Sequence, residues 1–199
     1  MRALTVLAAL VAVPAAAAAL QWRVGLEIAT ARYGGSAHDT SSGTGPPTFR
    51  PSDATMVGVR VERAMQGGRL AVAVRASTSK PGLAGTGGDL TIIDKSTGRL
   101  TDLATVVAVR VGGIGPSGAI RAEMGPALHL WKVGDETRSR VGALGAVAYD
   151  WPVAGRFSGT ARLEGTLSRS WFDPGDLPPE YDRRATWRYG VTLGLRYRL

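Results

Sequence analysis

The sequence predicts an all-β protein, an eight-stranded antiparallel up-and-down β-barrel that crosses a membrane with its strands. Three observations predict this fold. The segment from Trp187 to Leu199 alternates without interruption between apolar and polar or glycine residues, over a length that can cross a bilayer at a tilt. Seven further alternating segments precede it, joined by connections that are alternately long and short. The first 19 residues resemble an export signal.

The composition fits one domain of this kind. The 199 residues include no cysteine, which excludes disulfides and thiolate metal sites, and 27 glycines, more than a soluble domain usually carries. The mean hydropathy is near zero, as expected when apolar and polar faces alternate. The net charge is +8, but the arginines are spaced singly inside the alternating runs. We therefore predict no nucleic-acid partner.

The N-terminus has the three parts of a secretory signal peptide. A positive start at Arg2 is followed by an apolar run over residues 3–13, by Pro14, and by small residues at 15–19. The run is too short for a membrane-anchoring helix. We predict a signal peptide at residues 1–19, cleaved after residue 17, 18 or 19, and a barrel domain at residues 20–199.

Eight strands are predicted in the exported part of the chain. Their positions are residues 21–33, 55–63, a strand that starts at 69, 101–111, 119–131, 140–151, 156–171 and 187–199. The long connections are 34–53, 78–100, 132–139 and 172–184, and the short ones are 64–68, 112–118 and 152–155. A short strand is predicted within the second long connection at 90–93, and a bulge at Pro126, because proline cannot donate to a ladder. An even strand number puts both chain ends on one side, the periplasmic side.

The two strand faces predict an inverted barrel, with apolar side chains toward lipid. The alternative is a secreted soluble barrel or sandwich with the apolar face inside. The inverted arrangement is favoured because glycine and alanine are frequent on the polar face, as a narrow interior requires. It is also favoured because aromatic residues gather near the strand ends, as interfacial girdles do. The predicted girdle residues are Trp22, Tyr149, Trp151, Phe157 and Tyr197 at one end and Trp171, Trp187 and Tyr189 at the other.

The polar face supplies a set of charges that would point into the lumen. Because the interior of an eight-stranded barrel is just wide enough for side chains, these charges must pair or meet water. We favour a structural plug of ion pairs, in which Arg196 could pair with Glu27. The alternative is a narrow wet path that prefers anions. The set is Arg23, Glu27, Arg60, Glu62, Arg75, Arg110, Arg121, Glu123, Arg162, Glu164, Arg188 and Arg196.

With its export signal, eight alternating strands and long connections, the chain resembles the small eight-stranded outer-membrane β-barrels, such as the OmpA membrane domain and OmpX-like proteins. The resemblance implies a place in the outer membrane of a Gram-negative-type envelope, in contact with its lipid. It also implies that the last strand is read by the outer-membrane assembly machinery. The residues that match this assembly signal are Val191, Leu193, Leu195, Tyr197 and Leu199, with Leu199 standing where the family usually has Phe or Trp.

Few residues offer chemistry. The chain has two histidines, His38 beside Asp39 in the first long connection and His129 on the inward face of the fifth strand. We predict no enzyme, metal site or cofactor, since no nucleophile, base and orienting group come together in the sequence. The leading hypothesis is a structural or surface-interaction protein whose four long external loops meet an unknown external ligand. The alternatives are a small, porin-like anion-leaning pore and a lipid A-modifying enzyme.

Overall fold

The computed structural model describes residues 21–39, 48–87, 90–94, 98–115, 117–173, 175–177 and 179–199. The predicted signal peptide lies outside these residues. The described chain is almost entirely β-structure, with one short 3-10 turn at Gln66–Gly68. The strands are β1 (Gln21–Asp39), β2 (Thr48–Pro51), β3 (Ala54–Met65), β4 (Leu70–Ser79), β5 (Leu83–Gly87), β6 (Leu90–Asp94), β7 (Gly98–Gly112), β8 (Ala119–Val133), β9 (Glu136–Ala154), β10 (Phe157–Ser168) and β11 (Tyr181–Arg198).

Eight of these strands form a closed antiparallel barrel, in the order β1, β3, β4, β7, β8, β9, β10 and β11. The barrel closes where β11 pairs with β1, with Leu26 opposite Leu195 and Ile28 opposite Leu193. Closure leaves no free edge around the barrel wall, so every strand can hydrogen-bond on both sides. The predicted all-β, eight-stranded up-and-down barrel is confirmed.

The barrel has two different ends. We call the end at which β1 begins and β11 ends the turn end; there β3 connects to β4, β7 to β8 and β9 to β10. The opposite end is the loop end. At the loop end β2, β5 and β6 continue the sheet beyond the barrel, since β2 pairs with the tip of β1, β5 with β2, and β6 with β5. The short strand expected at 90–93 is confirmed within β6, and β5, which was not predicted, lies in the same connection.

Several predicted boundaries are wrong, and β11 begins at Tyr181, six residues before the predicted start of the last strand. The first long connection was expected from residue 34, yet β1 continues to Asp39 because β11 continues with it, through a register shift between Gly35 and Ala37. A loop was expected at 132–139, but only Gly134 and Asp135 separate β8 from β9. The expectation of four long connections at the loop end is therefore wrong, because the third of them is a tight hairpin. Gly134 has a φ of 59°, which a tight hairpin turn requires and glycine adopts without strain. The seventh strand was expected to reach residue 171 and ends at Ser168.

The bulge predicted at Pro126 is also wrong. Pro126 pairs with Ala143 of β9 in an unbroken register, and the register between β7 and β8 shifts instead between Arg110 and Gly112. The pairing of β7 with β8 is interrupted opposite the proline, between Ala104 and Val107, and resumes in the same register. The missing N–H therefore costs local hydrogen bonds and does not insert a residue.

The barrel is inverted relative to a soluble protein. Large apolar side chains on the outer wall are exposed, among them Leu26 and Met124 at 69% each, whereas Arg60 and Arg162 inside are 1% exposed. A soluble monomer rarely exposes an apolar patch larger than a few hundred Å². An outer wall of this kind matches the hydrocarbon of a bilayer, and it extends around all eight strands.

Candidate functional site

The lumen is filled by a connected network of ion pairs. Glu62, near the turn end of β3, is one of its acceptors and has no exposed side-chain surface. It accepts hydrogen bonds from Arg60 at 2.8 Å, Arg121 at 2.8 Å and Arg23 at 3.1 Å, and Arg196 lies 3.6 Å away. Because β1, β3, β8 and β11 supply these partners, the group ties together strands from around the barrel.

Arg162 on β10 links the middle of the network. It donates to Glu27 at 2.6 Å and 3.1 Å, and its Nε lies 3.2 Å from Glu123. Glu123 also accepts from Arg60 at 2.8 Å and 3.0 Å, which joins this group to Glu62. Bidentate arginine–carboxylate pairs of this kind are the strongest and most directional of the ion pairs.

Towards the loop end the network continues through Arg75, Glu164 and Arg188. Arg75 bonds Glu27 at 3.0 Å and lies 2.9 Å from Glu164. Arg188 donates to Asp102 at 2.5 Å, and Asp102 lies 3.4 Å from Nδ1 of His129. His129 faces inward, as expected, and its Nε2 has no hydrogen-bond partner among the described residues.

The charges inside are nearly balanced because two carboxylates join that the sequence analysis did not single out. Asp102 bonds Arg188, and Asp150 lies 2.8 Å from Arg121 and 3.1 Å from Arg196. Each aspartate occupies a position whose side chain points inward in the alternation of its strand. That alternation is the sequence signal that could have identified them. Arg196 bonds Asp150, so the expected Arg196–Glu27 pair is wrong. Seven arginines (Arg23, Arg60, Arg75, Arg121, Arg162, Arg188 and Arg196) face six carboxylates (Glu27, Glu62, Asp102, Glu123, Asp150 and Glu164).

An aromatic cluster closes the lumen at the loop end. The Trp131 ring packs against Tyr33 at 5.9 Å and against Trp171 at 5.3 Å between centroids, and Met56 and Leu100 complete the buried cluster. The assignment of Trp171 to a lipid-facing girdle is wrong, since this side chain is only 4% exposed. The strand alternation ends at Ser168, so the Trp171 side chain turns inward, and the Trp171 backbone N–H donates to the Thr186 hydroxyl at 3.2 Å.

The turn end of the lumen is open. A cavity of about 350 Å³ is lined there by Arg23, Arg110, Arg121, Arg156, Arg198 and Asp150, among others. Arg110 does not join the buried network as predicted: it is exposed and lies at this mouth. Its place near the end of β7, where the register with β8 shifts, explains this exposure. The lumen therefore has one closed and one open end.

The other predicted girdle residues lie on the outer wall in two belts. At the turn end Tyr149 stacks on Trp151 at 5.7 Å, Phe157 contacts Tyr197 at 5.0 Å, and Arg63 lies over the ring of Trp22 at 5.7 Å. At the loop end Trp187 stacks on Tyr189 at 5.3 Å. Trp187 lies flat over Gly34, where an added Cβ would be 2.0 Å from the ring, so glycine is required at this position.

Ion pairs also hold the external connection between β10 and β11. Arg140 donates to Asp173 at 2.8 Å, and Arg138 bonds Asp176. Burial raises the pKa of Asp176, but the backbone N–H of Asp173 and the Arg138 guanidinium outweigh it and hold the pKa below its usual range. These contacts tie the connection to the extended end of β9.

The described residues contain no group of three or more side chains suited to a metal ion. The side chain of His38 lies outside what the structure describes. No helix in the described part of the chain is long and apolar enough to span a bilayer. The polar chemistry of the described chain is therefore concentrated in the lumen and at its two ends.

Comparison with known proteins reveals similarity of fold. No protein-family model and no curated protein matches the chain. Among solved structures, Neisserial surface protein A aligns over 88% of this chain and 96% of its own, with a TM-score of 0.56 and 12% identity. A major outer membrane protein from Thermus thermophilus aligns over 89% and 99%, with a TM-score of 0.50 and 13% identity. The resemblance predicted from the sequence is thus confirmed for the fold: this chain has the fold of the eight-stranded outer-membrane β-barrels.

Proposed function

We propose that this protein is an outer-membrane barrel that serves as a closed scaffold for external chain segments, with a structural or surface-interaction role. The observation that carries the proposal is the filled lumen. Its ion pairs reach from Glu62 near the turn end to Asp102 near the loop end, where the aromatic cluster lies above them. A barrel blocked in this way supports display at its loop end better than conduction.

The loop end offers a surface for an external ligand. β2, β5 and β6 extend the sheet beyond the barrel, and contacts fix them to its rim. Arg50 donates to the carbonyl of Tyr33 at 3.0 Å and to Asp53 at 2.9 Å, and Ser52 and Gly82 exchange hydrogen bonds at 2.8 Å and 2.7 Å. An extension of the sheet that hydrogen bonds hold against the barrel rim is suited to contact with a partner outside the cell.

Planar-bilayer conductance tests the proposal against its alternative, a small anion-leaning pore. We expect correctly folded protein to leave the bilayer silent, because each of the seven guanidiniums of the buried network is engaged by a carboxylate. Steady anion-selective channels would overturn the scaffold and support the pore. The control is a gel-shift assay on the same sample, in which an unheated, folded barrel migrates faster than the boiled protein.

The proposed export and assembly follow from the two chain ends. Residues 1–19 would direct export, and the last strand would be recognised by the assembly machinery through its outward side chains, of which Leu193 is 54% and Leu195 49% exposed. Replacing Tyr197 and Leu199 by serine should lower the amount of folded barrel in cells and leave refolding of purified protein intact. Equal loss in both assays would assign these residues to stability alone.

No catalytic role is part of this proposal. His129 has an acidic neighbour in Asp102, but the same carboxylate is engaged by Arg188 at 2.5 Å. The lipid A-modifying alternative is tested by replacing His38 and His129 with alanine and comparing lipid A from cells that express each form. A modification present with the original protein and absent with the variant would contradict the non-enzymatic proposal.

A further inference from the structure

The open mouth of the lumen at the turn end holds more positive charge than its own carboxylates can neutralise. Among the described residues that line it, the only acidic one is Asp150, which is already bonded to Arg121 and Arg196. Three other arginines, Arg110, Arg156 and Arg198, have no carboxylate partner among the described residues. The mouth therefore differs from the balanced network deeper in the lumen.

The strand register brings these like charges together. Arg110 is directly opposite Arg121 across β7 and β8, and Arg23 is directly opposite Arg198 across β1 and β11. The backbone N–H of Arg198 donates to the carbonyl of Arg156 at 3.0 Å, which places the third arginine beside them. Like charges directly opposite each other destabilise a sheet. In each pair one arginine, Arg121 or Arg23, is engaged by Glu62, so Arg110 and Arg198 are the members left to bind an anion.

We propose that the mouth is a binding site for a phosphate-bearing anion. Several guanidiniums around one cavity favour a multiply charged oxyanion over a single carboxylate, since each fork can donate two parallel hydrogen bonds to phosphate oxygens. A concave site lined by one sign of charge also concentrates counter-ions. The cavity of about 350 Å³ has the size of a small-ligand site.

Two sources can supply this chemistry. A soluble phosphate or diphosphate would enter from the aqueous side of the mouth. A phospholipid headgroup would enter from the membrane side, where the lining includes Trp151 and Phe157 of the turn-end belt. Binding in uncharged detergent requires neither a lipid nor a defined orientation of the barrel, so it tests this site independently of the proposed surface role.

The test is calorimetric titration of the folded full chain in maltoside micelles with sodium pyrophosphate. Sodium chloride at matched ionic strength and sodium acetate are the reference titrations. We expect saturable binding of pyrophosphate alone. The double variant Arg110→Gln/Arg198→Gln should weaken it by at least about tenfold, the effect expected when charge-assisted hydrogen bonds are lost. The double variant should fold, because neither arginine belongs to the buried network.

The matched control is Arg69→Gln, which removes one exposed arginine at the same end of the barrel but outside the cavity lining. It should leave the affinity unchanged, and the single variants Arg110→Gln and Arg198→Gln should each weaken binding. The proposed site would be overturned if pyrophosphate did not bind saturably, or if the double variant bound it as tightly as the original protein. It would also be overturned if chloride gave the same response as pyrophosphate.

The source is then decided in nanodiscs. Phosphatidylglycerol that competes with pyrophosphate, where phosphatidylcholine does not, would identify a lipid headgroup as the ligand. Equal pyrophosphate affinity in both kinds of disc would identify a soluble anion. Either result upholds a phosphate site at the mouth and assigns its source.

Discussion

Glu62 illustrates how a charged residue becomes a structural one. Its side chain is fully buried, yet three arginines donate to it and a fourth lies within 3.6 Å. Removing one partner of a buried ion pair destabilises a protein far more than replacing the whole pair by apolar residues, because the remaining charges stay buried without compensation. The stability of the barrel should therefore depend strongly on this single carboxylate.

We expect Glu62→Gln to lower the free energy of unfolding by about 3–5 kcal/mol, the cost of breaking a buried ion pair. Urea unfolding of the barrel in lipid vesicles, followed by gel mobility, measures this change. The matched control is Glu136→Gln, which neutralises an exposed carboxylate that also bonds an arginine, Arg138, at 2.6 Å. An exposed pair contributes about 0–1 kcal/mol, so the control should stay close to the original protein. Equal changes in the free energy of unfolding for the two substitutions would contradict a stabilising role of the buried network.

At the scale of single residues, the sequence predicts which side chains face inward but not which of them meet. Alternation placed Arg60, Glu62 and Arg162 inside correctly, because a strand sends every second side chain to the same face. The pairing of Arg162 with Glu27 spans 135 positions along the chain and depends on the register and tilt of all the strands between them. No local pattern encodes that contact.

At the scale of elements, alternation located all eight barrel strands but misplaced several of their ends. Glycine and proline mark turns in most contexts, yet here Gly34 and Gly35 lie inside β1. Gly34 is needed beneath the Trp187 ring, and Gly35, with a φ of 77°, lies at the register shift. Tertiary contacts thus reassign residues whose local preference is for a break.

A glycine in β11 should be critical for the seam that closes the barrel. A Cβ at Gly190 would lie 1.8 Å from the carbonyl oxygen of Thr30 on β1, so the backbone at the seam must shift. We expect Gly190→Ala to destabilise the barrel by about 1–3 kcal/mol, as overpacking usually does. The control is Gly145→Ala, because a Cβ at Gly145 meets nothing within 4 Å. Urea unfolding of both variants checks this, and a neutral Gly190→Ala would show that the seam can relax.

At the scale of the whole molecule, the inversion of polarity is the property from which the others follow. Apolar residues face out because hydrocarbon surrounds the wall, and arginine–carboxylate pairs fill the interior because only they can satisfy one another away from water. The sequence predicted this inversion from the position of its aromatic residues. It did not predict that one end is closed and the other open, since Trp171 changes sides only after its strand ends.

A pair of valines on β9 tests the inversion directly. Val147 is 56% and Val153 55% exposed, so in water an arginine at either site would be tolerated equally. In a bilayer their depths differ: Val147 lies between the two aromatic belts, opposite Leu163 in the middle of β10, whereas Val153 lies beyond Trp151 at the turn end. The two sites share residue type, strand and exposure and differ in depth, and Val153 also lies at the register shift between β9 and β10.

We expect Val147→Arg to cost about 2–4 kcal/mol when the barrel is refolded into vesicles, the penalty for arginine near the bilayer midplane. Val153→Arg should cost about 0–1 kcal/mol, because its guanidinium reaches the interface. Refolding yield and unfolding free energy in vesicles measure the difference, and the same pair in short-chain micelles should differ less, because water reaches both sites. Two equal penalties in vesicles would contradict a membrane-spanning wall, since only a uniform solvent around the barrel would make the two depths equivalent.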